Sequence, residues 1–597
     1  MFKRIKKHLL RGLIILGLLI LTGVIFVCFN SVNTLIKFKD VKFDIGRAGE
    51  RYIFHQGYAI KRENVPAQIN LSGTHYEMGL QYGVLLKDET KEMAKIVHKV
   101  VTYYSEEMRI PKDLVYIYFK YKINKLVKNI PERYKQEMQG ISDGSGVDIN
   151  AIYTISLFDD IVHSMGCTSI LALTEDGLML HGKNEDLYFG MELGMKAVII
   201  EYNPKGYNSF VSVSFPGFVG VSTGYSNNGL GYSHHSRFAN KSNLNSNSQF
   251  FVPRMALEEC SNLNEVINFY SDKPFVVGDA HSWSDRNNLT GCIIESAPDE
   301  KYPTKVTKMT GNVQWHINKY LDPNYILYNE NKYTGDESFN NSRQEILSQS
   351  INKNQKLSLD NVISLLRTEN GPSGENYNMS SVTRGICNID TNQMIIIDPK
   401  GAGIYIARNY YLASKSTVYF IPMDFELSPY VYKESEVIDP VVEDVAIIRE
   451  SMISQSELIR KLKELTVKYP NHGYIYFLVG QASFDSGNLA DWAEYIEKAY
   501  ELPSSCDIQE VTLEKAMVEF YKKDMQLTKQ LLSEINFEAL KSFKSKAELL
   551  YLYQMYYEAI NNKTELQLYK EKFESFVCDS KTQKKIIKRL KVLFGAI

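Results

Sequence analysis

The chain has 597 residues, too many for one ordinary hydrophobic core, so it is expected to divide into domains. Its 68 lysines and arginines nearly balance 70 aspartates and glutamates, and no long basic run lies beyond the first residues, which argues against nucleic acid as a partner. The seven cysteines include no CxxC pair, so no metal cage or dense disulfide framework is expected, and no cofactor is implied.

In chain order, the first feature is an uncharged stretch from Gly12 to Ile36 containing "GLIILGLLILTGVIFVCF", preceded by Lys3, Arg4, Lys6, Lys7 and Arg11. It is long enough to cross a bilayer core of about 30 Å, and the basic flank orients the first residues inward. A cleaved signal peptide would have an apolar core of about 7–15 residues and a small-residue cleavage site, which "FVCFNSV" does not supply. Val27 before Cys28 argues against a lipoprotein. Residues 1–36 are therefore expected to form a retained transmembrane signal anchor, with the rest of the chain outside the cell membrane.

Residues 37–65 read as a linker. "QINL" then predicts a strand, and "HYEMGLQYGVLLKDETKEMAKIVHKVVTYY" a long amphipathic helix, with more helix to about Met138. "SDGSGVD" is turn chemistry, and Asp148 or Asn150 can cap the helix ending near His163. From Cys167 the texture becomes strands separated by hairpin signals such as Glu175-Asp176-Gly177 and Asn227-Asn228-Gly229. Helical segments intervene at "VPRMALEECSNLNEVINFYSD", "SRQEILSQSINKN" and "LSLDNVISLLR", and the strands end near Pro422. Residues 66–423 thus read as an α+β domain of antiparallel sheets and helices. Residues 424–445 read as a second linker. Residues 446–597 read as an all-α domain, in which "YIYFLVGQASFDSGNLADWAEYIEKAYELP" resembles one tetratricopeptide unit through Gly480, Ile496, Ala499 and Pro503, an ordinary helical bundle being the alternative. Such a tail suits packing, or docking of a protein partner, rather than catalysis.

Cys167, at the start of the first hairpin, has three readings: a small buried hydrophobe, a disulfide partner, or a nucleophile. Gly166 before it permits unusual backbone geometry. If the Gly166–Cys167 bond were cut, Cys167 would carry an α-amino group of ordinary pKa about 7.7–8.0, able to act as the thiol's own base. The hairpin through Asp176 can return Lys183 and Asp186 to the cysteine; an exposed turn cluster is the plainer reading of those charges.

Several blocks in order resemble the isopenicillin-N acyltransferase family of autoproteolytic cysteine N-terminal-nucleophile hydrolases, related to choloylglycine hydrolase and acid ceramidase. They are "INLSGTHYEMGLQYG", "EMQGISDGSGVDINAIYTISLFDDI", "GCTS" with "GKNEDL", "GYSNNGLGYSHH", "MTGNVQWH" and "NSRQEIL". The resemblance implies a four-layer αββα sandwich of antiparallel sheets and self-cleavage between Gly166 and Cys167. It implies Cys167 as nucleophile, Asp186 as the aspartate contacting the freed amine, and Asn312 as the oxyanion donor. Lys183, where an arginine is usual, His234 and Arg343 would contact substrate. His234 and His235 could equally be surface strand residues, and Arg343 could simply brace its helix. The expected activity is hydrolysis of a linear N-acyl amide through an acyl-cysteine, without metal or cofactor. Acyl transfer between amines, and an inactive docking protein acting through its tail, are the alternatives.

Overall fold

The computed structural model describes residues 36–597 except 109, 163–164, 188–195, 238–241, 299–303, 323–335, 370–384, 452, 503–507, 541, 578–579 and 595–597. The expected membrane anchor lies outside the described residues save for Ile36; among the described residues no helix is long and apolar enough to cross a membrane.

Two sheets form the centre of the molecule. One has eleven strands, in the order β1-β2-β3-β4-β7-β8-β9-β10-β11-β12-β13. These are β1 (Gly46–Ala48), β2 (Arg51–Phe54), β3 (Gly57–Ile60), β4 (Ala67–Gly73), β7 (Val198–Pro204), β8 (Phe210–Ser214), β9 (Thr223–Ser226), β10 (Leu230–Arg237), β11 (Gly278–Asp285), β12 (Thr290–Ser296) and β13 (Lys305–Lys308). The other has seven, in the order β14-β5-β6-β15-β16-β17-β18. They are β14 (Val313–Ile317), β5 (Met165–Leu173), β6 (Met179–Leu187), β15 (Thr391–Ile397), β16 (Gly403–Arg408), β17 (Val418–Pro422) and β18 (Tyr430–Lys433). All pairs are antiparallel except β4 with β7, which run parallel because the whole first helical segment and the β5–β6 hairpin intervene.

Aliphatic side chains from both sheets, among them Ile199, Val211, Val213, Ile395, Ile404 and Ile406, form the core between them. The outer face of the larger sheet is covered by α1 (His75–Leu85), α2 (Lys87–Met108), α3 (Lys112–Leu126), α4 (Glu132–Ser145), α5 (Ile149–Val162), α6 (Phe251–Glu259) and α7 (Leu263–Tyr270). That of the smaller sheet is covered by α8 (Asp336–Ser350) and α9 (Leu359–Leu366). The layers thus run helix, sheet, sheet, helix. The single long helix expected after β4 is divided at Leu86, and Asp148 does cap α5 by accepting from the Asn150 N–H at 2.8 Å.

The glycines of "EMGLQYG" and "EMQGISDGSG" explain each other. Gly79 and Gly83 of α1 lie against Gly140 and Gly144 of α4 so closely that a Cβ on Gly79 would sit 2.0 Å from the Glu137 carbonyl oxygen. Only glycine permits that approach.

The first expected linker belongs to the sandwich, and the second is shared between the sandwich and the helical region. Residues 46–60 form β1–β3 on the edge of the larger sheet, and Val65 is buried between the sheets. In the second, β18 completes the smaller sheet and α10 (Pro440–Glu450) begins the helical region. The linker readings missed these because short edge strands carry little periodicity. The helical region continues through α11 (Gln455–Lys468), α12 (Gly473–Asp485) and α13 (Leu489–Glu501) to Phe594. Its first helices bury Val442, Val445, Ile475 and Val479 against Cys387, Ile389, Tyr411 and Leu412, so part of its surface packs on the sandwich itself. Gly480 faces Ile496, joining α12 to α13 at the place the repeat signature marks.

Candidate active site

The hairpin β5–β6 builds the site. Its turn is fixed by the Thr174 carbonyl accepting from Gly177 N–H (3.0 Å) and the Thr174 hydroxyl accepting from Leu178 N–H (3.0 Å). Folding about Asp176 pairs Cys167 with Glu185, Gly166 with Asp186, and Ser169 with Lys183. Since a strand alternates faces, Cys167, Ser169, Lys183 and Glu185 point between the sheets, while Asp186 and the neighbouring Asn184 share the opposite face. There the Asn184 amide reaches the Leu366 and Ile386 carbonyls at 2.8 and 3.0 Å.

The backbone of Cys167 is clamped from outside the hairpin. Its N–H donates to Asn318 Oδ1 (2.7 Å), and its carbonyl accepts from Arg343 Nη1 (2.7 Å). The same guanidinium donates to Thr168 Oγ1, Asn318 Oδ1 and Asn340 Oδ1 at 3.0, 2.8 and 2.6 Å. Asn318 Nδ2 donates to the Ser236 carbonyl at 2.8 Å, tying the two sheets together. Gly166 is forced by its neighbours: a Cβ there would lie 3.2 Å from both Cβ and Oδ2 of Asp186. Asp186 Oδ1 accepts from Thr391 Oγ1 at 2.6 Å, whereas Oδ2 has no hydrogen bond among the described residues and lies 3.6 Å from Arg343 Nη1.

The electrostatics follow from burial. Cys167 is fully buried, which pushes its thiol up to about 12; Lys183 and Arg343 pull it down, and Glu185 and Asp186 push it further up. Burial likewise raises Asp186, against the opposing pull of Arg343. Burial works to lower Lys183, but Cys167 and Glu185 outweigh it and hold the ammonium charged. Lys183 Nζ donates to Glu185 Oε2 (2.7 Å), Ser222 Oγ (2.9 Å) and the Ser222 carbonyl (3.4 Å).

Two expected residues are elsewhere. Asn312 precedes β14, its carbonyl accepting from Leu173 N–H at the far end of β5 and its amide donating to the Asn354 carbonyl. Because β14 runs antiparallel to β5, it is the strand's other end, at Asn318, that meets Cys167. "HIN", one strand length beyond the "TGN" of the sequence match, carried that signal. His234 is fully buried but faces the helical layer, where it meets Asp279 Oδ1 (2.9 Å) and Gln249 Oε1 (3.0 Å). It is neither a surface residue nor beside Cys167. Its neighbour His235 points inward to Ser169 Oγ at 2.8 Å. Arg343 is at the site, where it holds Cys167 and Thr168 of the nucleophile's own strand together with Asn318, Asn340 and Asp186. Glu185 and Ser222, not anticipated from sequence, complete the inner face.

Residues 173–408 match the family described as acyl-coenzyme A:6-aminopenicillanic acid acyl-transferase, a span that holds Lys183, Asp186, Asn318 and Arg343 and begins just beyond Cys167. Over that span the sheet domain is similar to this family. An Archaeoglobus fulgidus protein described as uncharacterized is 30% identical over 207 residues, covering 29% of this chain and 33% of its own. The N-acylethanolamine-hydrolyzing acid amidase of Cavia porcellus is 33% identical over 103 residues, 16% of this chain and 27% of its own. The chain therefore spans a third or less of the length of these two relatives. A solved structure of the Caenorhabditis elegans ortholog of that amidase aligns with 39% of this chain and 93% of its own, at 16% identity and a TM-score of 0.29.

Proposed function

We propose that the chain cuts itself between Gly166 and Cys167 and that the mature form hydrolyses a linear amide of an N-acyl compound. The thiol of Cys167 attacks the Gly166 carbonyl, the amide bond gives way to a thioester, and water releases the Gly166 carboxylate with a free amine on Cys167. That amine then takes the thiol proton, the sulfur attacks the substrate carbonyl, the amine product leaves, and water resolves the acyl-cysteine. Asp186 Oδ2, lying beside Gly166, is placed to receive the freed ammonium. Asn318 and Arg343 hold the strand from which the nucleophile projects. In this reading Asn318, rather than Asn312, is the candidate oxyanion donor, its amide exchanging the Ser236 carbonyl for the developing charge.

The observation that carries the reading is the clamp on Cys167: a buried cysteine whose N–H and carbonyl are each held by a buried polar side chain, with a carboxylate oxygen beside the preceding glycine that is ion-paired to Arg343 but has no hydrogen bond among the described residues. The name of the Cavia porcellus protein favours an N-acyl amide as substrate. Hydrolysis is preferred to transfer because water outside the cell is abundant. The apolar segment at 12–36 with its basic flank supports a membrane-anchored, outward-facing enzyme.

Intact-mass measurement of the purified chain tests this. A break before Cys167, lost in Cys167→Ala, together with covalent acylation of Cys167 by p-nitrophenyl acetate, is expected. An unbroken chain that resists acylation refutes it.

A further inference from the structure

Resting on the proposed amide-cleaving reading, we infer that Glu185 selects the substrate: its free carboxylate oxygen accepts from a neutral N–H one or two bonds from the scissile carbonyl, as in an N-acylaminoacyl amide. A lysine ammonium has three protons. All three of Lys183 are directed within the protein, to Glu185 Oε2, Ser222 Oγ and the Ser222 carbonyl. The cation therefore has no donor left for a substrate carboxylate. Glu185 Oε2 is also committed, accepting from Lys183 and from Ser222 Oγ at 2.8 Å. Oε1 is different: it is buried, with no hydrogen-bond partner among the described residues, on a side chain that is 2% exposed.

Glu185 stands directly across the ladder from Cys167 on the same face of the sheet. An acyl group carried by the sulfur would lie on the face of the sheet that Glu185 shares. The polar atom offered there is an acceptor, so the complementary group is a donor. Neutrality follows from the balance of charge: the inner face already pairs one buried cation with one buried anion at 2.7 Å, and a further ammonium would lie close to Lys183 while a carboxylate would meet Glu185.

The test uses the full-length protein and four amides of 7-amino-4-methylcoumarin. These carry N-acetylalanyl, its isostere with the N–H replaced by an ester oxygen, alanyl and succinyl groups. The N-acetylalanyl amide is expected to exceed the ester isostere in kcat/KM by at least about tenfold, a factor appropriate to one hydrogen bond to a charged acceptor, with the alanyl and succinyl amides poorer still. In Glu185→Gln the amide oxygen can retain Lys183 while the NH2 faces the site, so the preference for N–H over O should disappear or reverse. If the wild-type chain breaks before Cys167 and hydrolyses N-acetylalanyl and ester isostere equally, the inference is overturned and the amidase reading stands. If the chain neither breaks nor acylates, both fall. The wild-type comparison decides the matter even where Glu185→Gln does not fold.

Discussion

Two buried ion clusters in the same domain are built to opposite rules. Arg254, on α6, spends its guanidinium fully: Nε meets Glu258 at 3.0 Å, and the two terminal nitrogens reach Glu137 at 2.8 and 2.6 Å. Tyr134 donates to Glu258 at 2.7 Å, and the rings of Tyr134 and Tyr202 flank the guanidinium. No side-chain polar atom of Arg254, Glu137 or Glu258 lacks a hydrogen bond. Beside Cys167, the Lys183–Glu185 pair is as deeply buried, yet among the described residues Glu185 Oε1 accepts no hydrogen bond. The first cluster's charged groups are matched to one another; in the second, the unmatched oxygen is the atom assigned above to the substrate.

The sharpest way to break the comparison is to remove a cation from the saturated cluster. Arg254→Met leaves Glu137 without its cation and Glu258 with only the half-buried Arg133 and the buried His75 beside it, and should cost about 3–5 kcal/mol in urea unfolding. Glu185→Gln, whose amide oxygen still accepts from Lys183, should cost no more than about 2 kcal/mol. Equal losses would mean that both clusters serve the fold alike. The next effect is kinetic. With the thiol pushed up to about 12, Cys167 in the uncut chain should react with iodoacetamide at pH 8 on the order of a thousandfold more slowly than an ordinary cysteine, because almost no thiolate is present. Fast labelling of the uncut form would show that the thiol is not held neutral.

The charge balance of the inner face also makes a pH prediction. His181, hydrogen-bonded to Ser233 and Ser284, is depressed to about 3 by burial and by Lys183. Above about pH 6.5 the imidazole is neutral both folded and unfolded. As pH falls below that value the unfolded chain binds a proton that the folded one refuses, so stability is lost until about pH 3. Wild type should therefore lose up to about 1.4 kcal/mol per pH unit relative to His181→Asn over this interval. The difference between the two proteins is the quantity to measure, since burial holds Asp160 up at about 7 and favours the folded state as pH falls. A constant difference in urea midpoints from pH 7 to 4 would show that His181 accepts its proton in place.

The hairpin was the most legible part of the site. The turn at Glu175-Asp176-Gly177 returns Lys183 and Asp186 toward Cys167, as the sequence implied, but the register that sets Glu185 opposite Cys167 and puts Asp186 on the other face came from the structure. What could not be read was which residues arrive from other strands. Asn318 reaches Cys167 through the pairing of β14 with β5, and Ser222 reaches Lys183 across the space between sheets; neither contact has a local signature. His234 was misplaced for a related reason: one step along β10 exchanges the inner face for the outer, so His235 meets Ser169 and His234 meets Asp279. In the fold, the glycine pairs of α1 and α4 were visible as motif blocks, but their meaning as a helix contact required both helices to be seen together.

The smallest effect is the most discriminating. Ser222 Oγ accepts from Lys183 and donates to the Glu185 oxygen already used by that lysine, so it adds neutral hydrogen bonds without altering the charge count. Ser222→Ala should therefore cost only about 1 kcal/mol in urea unfolding. It also returns one ammonium proton of Lys183 to the site, and a donor restored there should let a carboxylate-bearing ligand bind. In a competition assay succinate should inhibit Ser222→Ala more strongly than wild type, a difference that a purely structural hydroxyl would not produce. If stability falls by about 1 kcal/mol while succinate inhibits both proteins equally, Ser222 only packs the inner face, and Lys183 is kept from the substrate by position rather than by the full use of its protons.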